Sequence, residues 1–377
     1  MPVVGDYERL AQSHLSRAAW DYYATGSNDM ESLRDNLRAF RKYLLRPRIL
    51  KGISRISTET HLLGYRAQSP LCISPSAMQR MAHPDGELAT SRAMAQFHSC
   101  MVLSTYSTTA LEEVIDQGNP HSSYWFQLYL YQNRPVSAEL IRRAEVAGYR
   151  ALVLTVDTPM VGRRLADARN HFKLPPPWRL ANFPDDFQIL TASERAAREA
   201  NGPQLADHLS NESLGNRSDT SLTWQSCLPW LRSVTRLPII LKGVLTRADA
   251  ALAVQHGCAG VIVSNHGGRQ LDGVQASIDA LAEVVKGAQG QLEVYFDGGV
   301  RCGADVFRAL ALGARAVFIG RPVLWGLAAN GQKGVEAILH ELQSELEDAM
   351  RLTGCATLTD IQAQCLYRTG YPIPSQL

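Results

Sequence analysis

The stretch Ala151–Asp157 reads ALVLTVD and decides the fold, because four apolar residues run without interruption before Thr155 and Asp157. A strand without polar alternation is typical of a parallel sheet that is covered on both faces, since neither side of the strand meets water. The carboxylate comes only after the apolar run. We therefore predict a buried parallel strand with a polar group at its carboxyl end.

Seven further stretches share this pattern of a short apolar run bounded by turn residues. The eight predicted strands are 71–77, 100–105, 123–130, 151–157, 237–243, 260–266, 292–298 and 316–321. They start about 23 to 32 residues apart, except for one long gap before residue 237, and helix-like segments separate them. Strands and helices that alternate at this spacing form βα units, and eight units predict a closed (β/α)8 TIM barrel over 71–330 within one domain of 1–377.

The residues before the barrel are predicted to be helical over 1–65. Four apolar residues recur there at helical spacing, namely Leu33, Leu37, Phe40 and Leu44. We expect this segment to cover the bottom or the side of the barrel.

Two further segments lie outside the repeat. Residues 175–220 follow the fourth strand and open with three consecutive prolines. This segment is too polar for a membrane anchor and too long for a simple connection. We therefore expect a mobile lid over the barrel mouth, with disorder as the alternative. Residues 334–377 contain an amphipathic helix and a tail; the apolar face of that helix is formed by Val335, Ile338, Leu339 and Leu342.

Composition excludes several classes of function. A formal net charge of +2 is too small to indicate nucleic acid or an anionic membrane as the main partner. No apolar stretch reaches the length of about 20 residues that a membrane span needs, and the N-terminus does not resemble a signal peptide. The seven cysteines are scattered and predict free thiols and no metal site. We expect a cytoplasmic protein, with peroxisomal import as an alternative because residues 375–377 are similar to the Ser-Lys-Leu address.

The predicted strands all end in polar residues or glycine. These endings are Ser76, Ser104, Gln127 with Tyr129, Thr155 with Asp157, Lys242, His266, Asp297, and Gly320 with Arg321. In a TIM barrel the carboxyl ends of all strands meet at one face, so these side chains are expected to converge on one mouth.

A phosphate site is predicted at the last two strands. Asp297-Gly298-Gly299-Val300-Arg301 follows the seventh strand, and Gly320-Arg321 follows the eighth. Barrels commonly bind phosphate between these two loops, with backbone N–H groups at the start of a helix, and arginines add positive charge. The glycines do not form the fingerprint of a Rossmann NAD site.

Four residues form a candidate reaction centre. His266 has an ordinary pKa near neutrality and suits a general base, and Asp157 could orient it and stabilise its protonated form. Arg164 and Arg269 suit a clamp on a substrate carboxylate. Each of these residues alone is more often structural, and their convergence at one end of the barrel is what favours a site.

The sequence resembles the FMN-dependent L-2-hydroxy acid oxidase and dehydrogenase family, over nearly the whole chain. The matching motifs are Asp21-Tyr22-Tyr23, 74–78, 126–129, 155–159, Gly162-Arg163-Arg164, Leu241-Lys242-Gly243, 264–272, 297–301 and Gly320-Arg321-Pro322. The resemblance implies FMN as cofactor, a small 2-hydroxy acid as substrate and a homotetramer.

The resemblance also implies roles for individual residues. The cofactor would be bound by Pro75, Ser76, Ala77, Ser104, Gln127, Thr155, Lys242, Ser264, Asp297, Gly298, Gly299, Arg301, Gly320 and Arg321. The substrate would contact Tyr22, Tyr129, Arg164 and Arg269, and the catalytic group would comprise His266, Asp157, Tyr129 and Lys242. Positive charge on Lys242 would stabilise the reduced flavin ring.

The choice of substrate and electron acceptor stays open at this point. Tyr106 stands where similar glycolate oxidases carry tryptophan, which favours lactate, mandelate-type or medium-chain acids over glycolate. An oxidase would pass electrons to O2 and form hydrogen peroxide, whereas a dehydrogenase would pass them to a quinone or cytochrome. A non-catalytic flavin-binding barrel and an FMN-dependent isomerase are the remaining alternatives.

Overall fold

The computed structural model describes residues 2–183 and 219–369, and its core is a closed barrel of eight parallel strands. The barrel strands are β4 (Leu71–Ile73), β5 (Cys100–Leu103), β6 (Ser123–Leu128), β7 (Ala151–Thr155), β8 (Ile239–Val244), β9 (Gly260–Val263), β10 (Glu293–Asp297) and β11 (Ala316–Ile319). Two antiparallel pairs lie outside it: β1 (Tyr43–Leu45) pairs with β12 (Leu366–Arg368), and β2 (Thr60–Leu62) pairs with β3 (Tyr65–Ala67).

Each barrel strand pairs with the next one along the chain, and β11 closes the barrel against β4, where Val317 pairs with Leu71. The predicted TIM barrel and its eight strands are confirmed. Most strands end sooner than predicted; β4 ends at Ile73 rather than at residue 77, and β9 at Val263 rather than at residue 266. The polar residues beyond these ends therefore lie in loops, where their side chains are free to point across the mouth.

The interior of the barrel is filled by large side chains. Trp125, Tyr295 and Phe318 are fully buried, and their ring centroids lie 5.3 to 5.7 Å apart. Leu62 and Ala67 of the β2–β3 pair belong to the same buried cluster. Since Leu63 also donates its N–H to the carboxylate of Glu293 at the beginning of β10, the β2–β3 hairpin closes the amino-terminal end of the barrel.

The described helices surround this barrel. They are α1 (Val4–His14), α2 (Arg17–Ala24), α3 (Glu31–Arg38), α4 (Gly86–Phe97), α5 (Leu111–Asp116), α6 (Arg134–Ala147), α7 (Leu165–Arg169), α8 (Trp224–Val234), α9 (Arg247–Gln255), α10 (Ser277–Ala288), α11 (Gly303–Ala311) and α12 (Arg321–Thr353).

The N-terminal segment differs from the prediction in structure and position. It is helical only in α1 to α3, and residues 43–65 contain β1, β2 and the start of β3. Leu37 and Leu44, which were expected on a buried helix face, are 41% and 46% exposed. The buried positions of α3 are Ser32 and Asn36, because side-chain hydrogen bonds dock the helix on the loop that follows β9. Helices α2 and α3 therefore lie at the mouth rather than at the bottom or the side, whereas the β2–β3 hairpin at the end of the segment does cover the bottom.

The predicted C-terminal helix is the second half of α12. Its four predicted apolar residues are all buried, which confirms the amphipathic face. Helix α12 starts directly after β11 and has non-helical backbone angles at Asn330 and Gly331. Gly326 and Gly334 lie so close that a Cβ at Gly334 would be 1.9 Å from the carbonyl oxygen of Gly326.

Two predictions fall partly or wholly outside the described residues. Residues 175–183 are described, but most of the expected lid, 184–218, is not, and neither is the tripeptide 375–377. Among the described helices, none combines the length and the hydropathy that crossing a membrane requires.

Candidate active site

A cavity of about 560 Å³ opens at the carboxyl ends of the barrel strands. Most predicted site residues line it, from all parts of the chain: Tyr22, Pro75, Ser76, Ala77, Ser104, Gln127, Tyr129, Thr155, Arg164, Lys242, His266, Arg269, Asp297, Gly298, Gly299, Arg301, Gly320 and Arg321. Asp157 and Ser264 do not line it. They lie behind the wall, where each contacts a residue that does.

His266 and Asp157 form a hydrogen-bonded pair. The Nδ1 atom of His266 lies 3.0 Å from Oδ1 of Asp157. Burial lowers the pKa of His266 and outweighs the opposing effect of the Asp157 carboxylate. Burial raises the pKa of Asp157, but the imidazole and Lys242 together outweigh it and hold that pKa below its usual value. The resting pair is therefore a neutral imidazole, with Nε2 as its basic nitrogen, and an ionised carboxylate.

The backbone around His266 is held by several neighbours. His266 begins a short 3-10 turn, His266–Gly268, and its N–H donates to Oγ of Ser264 at 3.0 Å. Gln270 donates from Nε2 to the carbonyl oxygen of Asp157 at 3.0 Å. The loop after β7 and the loop after β9 are therefore cross-linked beside the imidazole.

Two arginines and a tyrosine form a cationic corner of the cavity. The guanidinium carbons of Arg164 and Arg269 lie 5.9 and 4.8 Å from the ring centroid of Tyr22. Arg269 also donates to the carbonyl oxygens of Tyr22 and Thr25. Burial, with Arg164 alongside, lowers the pKa of Arg269 to about 10, so this arginine is still charged at neutral pH. Nε of Arg164 is buried without a hydrogen-bond partner among the described residues, which suits a corner built for an anion.

Tyr129 forms part of an aromatic wall. Its ring stacks on that of Tyr106 at a centroid distance of 5.0 Å, and Tyr106 in turn contacts Phe183 at 6.1 Å. Burial raises the pKa of Tyr129, so its hydroxyl is protonated and can donate a hydrogen bond.

Lys242 lies in a buried polar network at the centre of the mouth. Its Nζ donates to Oγ of Ser264 at 2.9 Å and lies 3.1 Å from Oδ2 of Asp297. Ser74 donates to the same carboxylate oxygen at 3.1 Å. The other oxygen of Asp297, Oδ1, is buried and has no partner in the described part of the chain, so a ligand hydroxyl is a suitable donor for it.

The predicted phosphate loops lie at one end of the cavity. Gly298 and Gly299 have φ values of +110° and +79°, which favour glycine. A Cβ at Gly299 would lie 2.1 Å from the carbonyl oxygen of Asn36, so this loop also packs directly on α3. Helix α12 starts at Arg321, next to this loop, and its positive end faces the cavity.

One of the two helix starts at this end already has its own anions. Gly303, the first residue of α11, donates its N–H to Glu345 at 2.5 Å, and the N–H of Arg301 donates to Asp305 at 3.0 Å. These carboxylates satisfy donors that a phosphate after β10 would otherwise use. The start of α12 is therefore the helix end that fits a phosphate.

The two predicted phosphate-binding arginines have different partners. Arg301 lies 3.6 Å from Glu8 of α1, and burial lowers its pKa. Arg321 donates to three carbonyl oxygens, those of Tyr23, Gly267 and Thr25, at 2.8 to 3.0 Å. Its guanidinium thus holds the end of α2 against the turn beside His266, a structural role that the sequence did not indicate.

Gln127 and Thr155 form a polar part of the cavity wall that suits the edge of a flat heteroaromatic ring. Gln127 donates from Nε2 to Oγ1 of Thr155 at 3.0 Å and accepts at Oε1 from the N–H of Thr105 at 3.1 Å. Its amide is therefore fixed at the cavity wall. Together with the unpaired oxygen of Asp297 and the glycine loop, the wall fits a cofactor that has a heteroaromatic ring, hydroxyl groups and a phosphate.

Several lining residues were not predicted. Asp167 and Thr158 line the cavity with buried oxygens that have no hydrogen-bond partner among the described residues, and burial raises the pKa of Asp167. Asn36 lines it and pairs with Asn265, with the two amides exchanging hydrogen bonds of 2.7 and 2.9 Å. No periodicity marks these positions, since each depends on contacts between distant segments.

Comparison with known proteins gives a consistent result. The sequence profile of the FMN-dependent dehydrogenase family matches residues 11–368. The chain is 47% identical to 2-hydroxyacid oxidase 1 of Homo sapiens over 352 residues, which cover 93% of this chain and 92% of the relative. It is 48% identical to glycolate oxidase of Spinacia oleracea over 358 residues, which cover 95% and 93%.

Solved structures of mandelate oxidase share the fold. One has a TM-score of 0.84 at 40% identity and covers 97% of both chains. Another, a tyrosine-to-phenylalanine mutant described with (S)-mandelic acid, has a TM-score of 0.83 at 39% identity and also covers 97% of both chains.

Proposed function

The chain belongs to the FMN-dependent dehydrogenase family, and we propose that it is an FMN-dependent oxidase of L-2-hydroxy acids with a side chain larger than that of glycolate. The observation that carries this proposal is the cluster at the barrel mouth. It combines the His266–Asp157 pair, the cationic corner of Arg164 and Arg269, and a cofactor wall around one cavity. Oxidation of a 2-hydroxy acid needs these three parts at once.

The cationic corner would bind the substrate carboxylate. Two guanidinium groups offer forked donors to a carboxylate, and one of these donors is Nε of Arg164, which has no partner among the described residues. Tyr22 lies under both arginines and stabilises them by cation–π contact. The acid would thereby be oriented with its C2 towards the centre of the mouth.

His266 would take the proton from the substrate hydroxyl. Its Nδ1–H donates to Asp157, which fixes the ring orientation and makes Nε2 the accepting nitrogen. The depressed pKa of His266 keeps the imidazole neutral before reaction, and the ionised Asp157 stabilises the imidazolium that forms. The hydroxyl of Tyr129 would donate a hydrogen bond to an oxygen of the substrate.

FMN would be held by the cofactor wall, which is formed by Pro75, Ser76, Ala77, Ser104, Gln127 and Thr155. Its phosphate would lie between the glycine loop after β10 and the start of α12. Bound there, FMN supplies the acceptor for the two electrons released when C2 becomes a carbonyl carbon. Lys242 would keep a buried positive charge beside it, and Asp297 would accept from a ligand hydroxyl through its unpaired oxygen.

The substrate side chain would lie against an apolar part of the cavity. The apolar and aromatic residues of the cavity lining include Tyr106, Leu174, Trp178 and Leu180, and Tyr106 stacks on Tyr129. An aryl or branched aliphatic group buries apolar surface there, whereas the hydrogen of glycolate does not. We expect L-mandelate and longer L-2-hydroxy acids to have a higher kcat/KM than glycolate.

Molecular oxygen is the proposed electron acceptor, with hydrogen peroxide as its product. The support is that the relatives at 47 to 48% identity are named as oxidases. We also propose a homotetramer, supported by the resemblance to the family, and the molar mass from light scattering would test it.

The proposed function is tested by anaerobic reduction of the purified yellow protein. L-mandelate or L-lactate should bleach the flavin absorbance, and air should restore the colour rapidly with release of one peroxide per turnover. A panel that includes glycolate ranks the acids. Failure of every 2-hydroxy acid to bleach the flavin would contradict the proposal, and bleaching followed by slow return in air would point to a dehydrogenase.

A further inference from the structure

Two of the proposed substrate-binding residues lie on separate segments that meet away from the cavity. Tyr22 belongs to α2, and Arg164 directly precedes α7. Asn170 follows α7, and its backbone N–H donates to the carbonyl oxygen of Ala166 at 2.9 Å. Arg164 and Asn170 are therefore the two ends of one short helical unit, so a shift at Asn170 would be transmitted to Arg164.

A buried carboxylate joins this unit to α2. Asp21 is only 6% exposed, and its Oδ2 accepts from Nδ2 of Asn170 at 2.7 Å and from Nε of Arg17 at 2.6 Å. Arg17 belongs to the same helix as Asp21, four residues before it, so its ion pair with Asp21 does not link two elements. The bond from Asn170 is the one that connects two elements.

An aromatic contact lies next to this bond. The ring of Phe172 stacks on the ring of Tyr22 at a centroid distance of 4.5 Å and an angle of 18°. Asp21 and Tyr22 are adjacent in the chain, and one residue separates Asn170 from Phe172. The hydrogen bond and the stack therefore hold the same two segments in one register.

We propose that Asn170 is a positioning residue for the substrate site, because its hydrogen bond to Asp21 sets the spacing between Arg164 and Tyr22. This inference rests on the proposed function, in which those two residues bind the acid. Asn170 does not line the cavity, so its effect would pass through α7.

The test uses the FMN-loaded protein and an exchange of the two partners. Asn170→Asp replaces the amide that donates to Asp21 by a second carboxylate, which repels it, and should raise KM for L-mandelate about tenfold, the effect of roughly 1.4 kcal/mol. The double variant Asn170→Asp with Asp21→Asn restores an amide–carboxylate bond of reversed polarity and should recover most of the loss. Asn170→Ala, which removes the bond without adding charge, should change KM in the same direction by less.

Three further measurements separate positioning of the substrate site from a general disturbance of the protein. The Kd of oxalate, read from its perturbation of the flavin spectrum, should rise in parallel with KM, while the Kd of FMN and kcat change less than about threefold. Arg17→Ala is the matched control, since it removes the exposed partner of Asp21 and should leave KM unchanged. Wild-type bleaching together with unchanged KM and oxalate Kd in both Asn170 variants would contradict this inference alone. A double variant whose KM stays as high as that of Asn170→Asp would also contradict this inference. A wild-type protein that no 2-hydroxy acid bleaches would instead contradict the proposed function.

Discussion

His266 has a backbone conformation that few residues of its size adopt. Its φ is +58°, and Gly267 and Gly268 continue the left-handed path with φ of +63° and +73°. Such a conformation costs about 1 kcal/mol or more for a residue with a side chain and persists only where surrounding contacts enforce it. For His266 these contacts are the hydrogen bonds with the Ser264 hydroxyl and the Asp157 carboxylate. In this conformation the imidazole lines the cavity.

The pKa of His266 gives a pH dependence with a definite sign. Burial depresses it below the ordinary imidazole value of about 6.5, so the neutral base is fully present above that pH and is lost as pH falls through the lower value. We expect kcat/KM for L-mandelate to be constant at neutral pH and to fall with an inflection below 6.5. In Asp157→Asn, which removes a group that raises this pKa, the inflection should move further down. An acid limb centred above about pH 7 would contradict the assignment of His266 as base.

Residue chemistry was only partly predictable from sequence. The convergence of His266, Asp157, the two arginines and Lys242 could be predicted, because each lies at or beyond the carboxyl end of an apolar strand in a barrel whose strand ends meet. Asp167, Asn36 and the carbonyl-binding role of Arg321 could not, because they depend on how α2, α3 and α7 dock on the mouth.

The loop after β10 and helix α3 are interlocked at Gly299. An alanine there would combine a φ of +79° with a Cβ 2.1 Å from the carbonyl oxygen of Asn36, so the loop or α3 must move. We expect Gly299→Ala to weaken FMN binding at least tenfold, measured by quenching of FMN fluorescence. Gly290→Ala is the matched control, since its φ is +69° but no atom of the described residues lies within 4 Å of the added Cβ. Equal FMN affinity in both variants would show that the loop does not hold the phosphate.

Glu87 connects two loops that line the cofactor wall. This fully buried carboxylate accepts from the N–H groups of Gln79 and Thr108 at 2.9 Å and from the hydroxyls of Thr108 and Thr109 at 2.8 and 2.9 Å. Glu87→Ala leaves buried donors unpaired and should lower the free energy of unfolding by about 3 kcal/mol. Glu87→Gln keeps one acceptor oxygen and should cost about 1 kcal/mol. Denaturant titration checks both values, and equal stabilities of the two variants would contradict the role of the acceptor oxygen that glutamine retains.

The sequence predicted whether a segment is a strand or a helix better than it predicted the residues at which that element begins and ends. The eight strands were found because short uninterrupted apolar runs recur along the chain between helix-like segments, and the amphipathic half of α12 was found because its apolar residues recur at helical spacing. Most strand ends were predicted too late, since a polar residue just past the rim of the barrel continues the apolar pattern of the strand. The position of α3 was predicted wrongly, because hydrogen bonds of Ser32 and Asn36, rather than an apolar stripe, decide where this helix docks.

The whole mouth is assembled from segments that are far apart in the chain, from Tyr22 on α2 to Arg321 at the start of α12. A ligand that contacts all of them stabilises the folded state by mass action, by about 2.7 kcal/mol at 100 times its Kd. We expect FMN to raise Tm by several degrees. Riboflavin, which lacks the phosphate, should raise Tm much less at the same concentration, and equal shifts would contradict a phosphate site at the start of α12.

The central claim is that His266 removes a proton from a 2-hydroxy acid beside bound FMN, and anaerobic stopped-flow reduction of His266→Ala tests it most directly. The variant should keep its yellow FMN, because the cofactor wall is intact, and L-mandelate should bleach it about 10²- to 10⁴-fold more slowly than the wild-type protein. Bleaching of the FMN-loaded variant at the wild-type rate would contradict the claim.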